Sequence, residues 1–183
     1  MKQLFRKYKS VLLFLLLFLG SYVVLSVLYG FYLHLSKNGT YAPDFITNLV
    51  AKQSRAVIQT FGYAAQVLPH PNQPSMKLFV EGRFLARIVE GCNAVSIIIL
   101  FVSFIVAFAQ GFKKTCLYLF AGVVIIYAIN IVRIALLAIA LYEFPEYQHI
   151  LHGVVFPGII YAMVFFLWIV WVRLLTPKHI QHE

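Results

Sequence analysis

Three residues able to do covalent chemistry stand far apart in this sequence: Cys92, Arg133 and His152. A thiolate attacks carbonyl carbon, and a neighbouring histidine or cation favours it over the thiol. A histidine within reach serves as general base and then as general acid to a leaving amine. An arginine stabilises the oxyanion of the tetrahedral intermediate. Together the three side chains support acyl transfer. Each also has a plainer role: a packed cysteine, an interfacial histidine, an arginine that snorkels to anchor a helix. A second constellation competes. Glu146, His149 and His152, at i, i+3 and i+6, drift around one broad helix face and could offer zinc an open site. That stretch is short, follows Pro145 and matches no established zinc pattern. Ser96, one turn below Cys92, is a second-rank nucleophile whose plainer role is helix packing.

The elements that must position these residues are set by hydropathy. Of 183 residues, 62% are hydrophobic and 11% charged, with a mean hydropathy of +0.85. A soluble domain of this size needs more polar surface than that, whereas a bilayer covers apolar faces itself. The net charge of +9 does not point to nucleic acid, because the basic residues flank apolar runs and form no extended basic face. Cys92 and Cys116 are too few for a disulfide framework and fall near opposite membrane faces.

Four apolar stretches predict about four transmembrane helices, near residues 11–33, 92–110, 115–142 and 154–172. The first is too long for a signal-peptide core and lacks a small-x-small cleavage site, so it reads as a retained span. The fourth begins near Pro157, which can kink it, and ends in aromatics, including Trp168 and Trp171, that suit an interface.

Lys2, Arg6, Lys7 and Lys9 precede the first span, Lys113 and Lys114 fill the short turn after the second, and Arg173 and Lys178 follow the fourth. The Glu143–His152 loop has neither Lys nor Arg. The positive-inside rule places both termini and the Gly111–Lys114 turn in the cytoplasm. The long first loop, His34 to Gly91, carries Lys37, Lys52, Arg55, Lys77, Arg83 and Arg87. Raw counts are therefore close, and the density of charge in short flanks decides. Within that loop, Asp44–Leu68 has apolar residues at helical spacing with Asp44 as a cap, an amphipathic helix lying on the membrane or docked on the other helices at the outer side. Met76–Val89, with Glu81-Gly82 at its middle, predicts a small β-hairpin. The expected fold is a single all-α integral membrane domain, 1–183, with these outer additions.

Arg133 carries the strongest single signal. A charge at the centre of an apolar span costs at least ~2.5 kcal/mol on insertion scales and is functional by default. The third span is ~42 Å long, more than the hydrocarbon core, so Arg133 can reach the outer interface. Asn130 lies one turn earlier on the same face. The second and fourth spans both enter from outside, which brings Cys92 and His152 to the same level as Arg133.

At this point the sequence resembles the exosortase/archaeosortase family of membrane transpeptidases, closest to its short exosortase F type. The resemblance rests on Glu90-Gly91-Cys92-Asn93-Ala94-Val95, Asn130-Ile131-Val132-Arg133-Ile134 and His152-Gly153. It covers roughly Glu90 to Trp168, while the first span and the amphipathic loop add little. It implies Cys92 as nucleophile with Arg133 and His152 completing the site, supported by Glu90, Asn130 and His149. It also leaves open which histidine acts, although His152-Gly153 fits the family better. Ala94 departs from the pattern, since many members have glycine there; the methyl either narrows the approach to the thiol or marks a subfamily with another substrate.

The resemblance implies partners as well. Substrates would be exported proteins with a C-terminal sorting signal, namely a motif, a transmembrane helix and a basic tail. They would be cleaved at the outer face of the plasma or inner membrane and passed to an envelope acceptor. A substrate helix would dock through small residues such as Gly122 and Ala128. No cofactor, metal or nucleic acid is called for. The alternatives are a non-catalytic membrane scaffold subunit, a membrane metalloprotease and, third, a small-solute transporter, for which the spans offer few midplane polar groups.

Overall fold

The computed structural model describes residues 8–36, 43–109 and 111–175. Lys2, Arg6, Lys7, Lys37 and Lys178, part of the charge pattern used for orientation, lie outside them, as does Gln110. The described chain is mainly helical. Helix α1 spans Lys9–Ser36, α2 Phe45–Thr60, α3 Val95–Ala107, α4 Phe112–Glu143 and α5 Phe156–Val170, with a three-stranded sheet of β1 Ala65–Pro69, β2 Met76–Val80 and β3 Arg83–Ile88 between α2 and α3.

Three helical segments are long and apolar enough to cross a membrane: Lys9–Ser36, Phe112–Glu143 and Pro145–Arg173. The chain is a membrane protein. The second expected span is helical only over Val95–Ala107, ~20 Å of rise. Its start is fixed by Asn93, whose Oδ1 accepts the Val95 amide at 2.9 Å. It ends at Phe108, whose amide still donates to the Phe104 and Ile105 carbonyls. Cys92 therefore lies in a 3₁₀ turn, Glu90–Cys92, ahead of the helix.

The expected amphipathic helix is shorter than its periodicity indicates. Asp44 caps it as predicted, accepting the Thr47 amide at 3.0 Å. It stops at Thr60 because Gly62 takes φ +90° just beyond it, a left-handed stop suited to glycine. Ala65–Leu68, assigned to the helix from the spacing of Ala64 and Leu68, belongs instead to β1, which pairs antiparallel with β2. The β2–β3 hairpin is present, with Glu81 and Gly82 both at positive φ, as a two-residue type I′ turn demands. Glu81 tolerates that conformation with its carboxylate accepting the Ala64 amide at 2.6 Å.

The sheet gives α4 a partner beyond a bilayer's reach. At 32 residues, α4 extends ~48 Å, well past a ~30 Å hydrocarbon core. Its C-terminal half buries Ile134, Ala135 and Ala138 against Met76, Leu78 and Val80 of β2 and Val50, Ala51 and Ile58 of α2. At the other end, α3, α4 and α5 pack around Phe101, Ile126 and Trp171. Trp171 is buried within the protein, its indole N–H donating to Phe108 O at 3.1 Å, and Trp168 stacks on Phe104 at 4.3 Å between centroids. Gly122 is also enclosed: the Phe101 ring occupies the space a Cβ would need. That position brings α3 close to α4 and is closed to a substrate helix; Ala128 is exposed.

Candidate active site

The chain turns at Cys92 under the control of two buried asparagines. Asn93, fully buried, donates from Nδ2 to Tyr29 Oη at 2.8 Å and Thr47 Oγ1 at 3.0 Å. With its bond to the Val95 amide, this one side chain ties α1, α2 and the start of α3 together. Asn130, 2% exposed, donates from Nδ2 to the Cys92 carbonyl at 2.8 Å. A buried amide without partners would cost about 1–3 kcal/mol, so these bonds fix both the fold and the backbone that carries the thiol.

Ala94 follows at φ +65°, a left-handed conformation that glycine adopts freely. Its methyl is buried in the cluster of α3, α4 and α5 and does not line the cavity beside Cys92. It does not narrow the approach to the thiol. Glycine at this position would take up the same backbone without that strain.

His152 is placed by a distortion. Between Pro145 and Phe156 the chain winds as a 3₁₀ turn, a short α-helical turn and a π turn, Leu151–Val155. Pro157 has no N–H to give and would crowd the carbonyl of Gly153 in a regular helix. The widened turn relieves this, with the Phe156 amide donating to Leu151 O. Such π turns cluster at functional sites.

Cys92, Arg133 and His152 line one cavity of about 220 Å³ with Arg87, Gly91 and apolar walls that include Ile134 and Phe156. Cys92 is half-buried and not disulfide-bonded. Arg133 Nε is buried without a hydrogen-bond partner, while His152 is exposed at the rim. No hydrogen bond joins the three side chains to one another among the described residues. No Asp or Glu is found among the described residues lining the cavity, which therefore carries two guanidinium groups against apolar walls. Low-dielectric walls concentrate such a field, and a positive cavity suits a thiolate and an oxyanion.

The remaining predicted residues fall elsewhere. Asn130 lies behind the Cys92 backbone. Glu90 lines a neighbouring groove rather than the cavity, as does Ser96. His149 is exposed and is not among the lining residues. Glu146, His149 and His152 do not come together, and no group of three His, Cys, Asp or Glu side chains among the described residues could hold a metal. Sequence reasoning missed Arg87 as a second cationic wall and Asn93 as the organiser of the turn. An asparagine just ahead of an apolar helix is a capping signal and could have identified Asn93.

A model of the transmembrane exosortase family matches residues 6–170, and the chain belongs to that family. The match extends over α1, α2 and the sheet, well beyond the Glu90–Trp168 stretch that carries the resemblance in sequence. At family level it denotes a membrane transpeptidase. No curated protein and no solved structure matches the chain.

Proposed function

We propose that this protein is a cysteine transpeptidase that cleaves a C-terminal sorting signal from exported proteins at the outer membrane face. Cys92 attacks the backbone carbonyl of the signal, giving a thioester and releasing the C-terminal fragment as an amine. His152 takes the thiol proton and returns it to that amine. Arg133 and Arg87 supply positive charge to the oxyanion as it forms. Water or an amine acceptor then resolves the thioester. The observation that carries this reading is the shared cavity of Cys92, Arg133 and His152, drawn from three separate segments, in a chain of the exosortase family. Charge density in the flanks of the spans supports an outward-facing site.

Processing of a tail-anchored candidate substrate tests it in cells carrying wild type, Cys92→Ala, Arg133→Ala or His152→Ala. All three variants are expected to reach the membrane and to stop processing. Normal processing by Cys92→Ala would instead favour a scaffold that supports another enzyme.

A further inference from the structure

The Cys92 turn has two sides. On one is the cavity described above. On the other is a larger groove of about 680 Å³, bounded by Tyr29 and Leu33 of α1, by Gln73 in the β1–β2 loop, by Glu90 and by Ser96 of α3. The two spaces share Gly91 and Arg87 as lining residues. Gly91 places no side chain between them, and a Cβ built there would meet no atom within 4 Å. At Gly91 the boundary between cavity and groove is therefore open backbone, one residue from the thiol, and Arg87 forms the rest of it.

Charge differs across that boundary. The described lining of the cavity has two guanidinium groups and no carboxylate, whereas Glu90 gives the groove its carboxylate. Arg87, common to both, is engaged by the groove wall, its Nη1 donating to Gln73 Oε1. A ligand of the groove thus meets an exposed carboxylate two residues from Cys92, beside neutral hydrogen-bonding groups from Tyr29, Gln73 and Ser96.

We propose that this groove is the acceptor site and that it takes a primary amine, whose ammonium group Glu90 binds and deprotonates. The proposal rests on the thioester reading above. The ammonium passes one proton to the Glu90 carboxylate. The freed nitrogen lone pair attacks the thioester carbonyl across Gly91, a C–N bond forms, the C–S bond breaks and Cys92 leaves as thiolate. The second nitrogen proton returns to the thiolate through His152, and Glu90 gives its proton to water. Amide and thiol are the products, with one proton released. An acceptor entering by the groove does not have to displace the acyl chain held in the cavity.

The test uses the full chain in detergent micelles, acylated with the p-nitrophenyl ester of N-acetylglycine. Glycinamide and hydroxylamine then compete for the acyl group. Hydroxylamine is uncharged at neutral pH and small enough to reach the thioester directly. Glu90→Gln is expected to lower the ratio of glycinamide adduct to hydroxamate about tenfold, the worth of one charge-assisted hydrogen bond. Ser96→Tyr, which fills the groove from α3, is expected to lower it as well. An unchanged ratio in both variants, with Cys92 still acylated, overturns the acceptor site and leaves the thiol enzyme standing. Acylation that persists in Cys92→Ala, with none on Cys92 in the wild type, overturns both.

Discussion

The Asn130 carboxamide and the Cys92 carbonyl are joined by a 2.8 Å hydrogen bond that links the middle of α4 to the turn before α3. Asn130 is buried and one helical turn from Arg133, so a single face of α4 holds the backbone of one site residue and presents the side chain of another. The thiol and the guanidinium are thereby registered to the same helix.

Asn130→Ala therefore acts on the site through position rather than chemistry. It leaves the Cys92 carbonyl unsatisfied and is expected to cost about 1–3 kcal/mol. The melting temperature in detergent should fall, and the rate of Cys92 alkylation should change while Cys116 alkylation does not. A variant with wild-type stability and wild-type Cys92 alkylation would show that the bond does not hold the turn.

Ala94 offers a comparison of opposite kind. A left-handed conformation costs a non-glycine residue roughly 1–2 kcal/mol, so Ala94→Gly relieves strain. It also loses a buried methyl worth about 0.8 kcal/mol and loosens the unfolded chain by about 0.4–1 kcal/mol. The net change is expected to stay within about 1 kcal/mol, with catalysis retained because the methyl is outside the cavity. Ala94→Val, β-branched at positive φ, should be markedly less stable. Thermal unfolding of both variants side by side checks this, and equal stability of the two would contradict the left-handed turn.

Gly122→Ala introduces a methyl where the Phe101 ring lies. Because Phe101 is fully buried, the ring has little room to yield, and a loss of about 1–3 kcal/mol is expected. Phe101→Leu should recover part of that loss in the double variant, a coupling that a double-mutant cycle measures. Additive losses would mean that the two residues do not share the contact.

How much of this was legible in the sequence follows from which physics was local. The three long spans, the convergence of Cys92, Arg133 and His152 on one cavity, the Asp44 cap and the Glu81-Gly82 turn all rest on hydropathy or on short-range chemistry. The boundary between α2 and β1 does not. Ala64 and Leu68 satisfy a helical period as well as a strand, and pairing with β2 decides between them; only Gly62 marked the stop. The aromatic end of α5 reads as an interface anchor from composition, yet the Phe108 carbonyl and the Phe104 ring draw Trp171 and Trp168 inward. Arg87 was invisible as a cavity wall because its place depends on the register of β3.

His70 gives a test by pH outside the membrane. Burial first, and then Lys77 and Arg87, hold its imidazole below the ordinary histidine range, and its neutral Nδ1 accepts the Asn72 amide at 3.2 Å. With the folded value depressed, the fold favours the neutral ring. That contribution is complete above the unfolded pKa and is lost as pH falls through the folded one. Lys77→Met removes one of the two cations and is expected to raise the His70 midpoint followed by NMR. A midpoint that stays put or falls would contradict the assignment of cause.

The most direct test of the central claim is the mass of the protein itself. Wild type incubated with a substrate it processes, quenched in acid and digested, is expected to carry the N-terminal product of the substrate on the Cys92 peptide, released by hydroxylamine. Continued processing with that adduct absent, or with the adduct on another residue such as Ser96, would contradict the thiol mechanism.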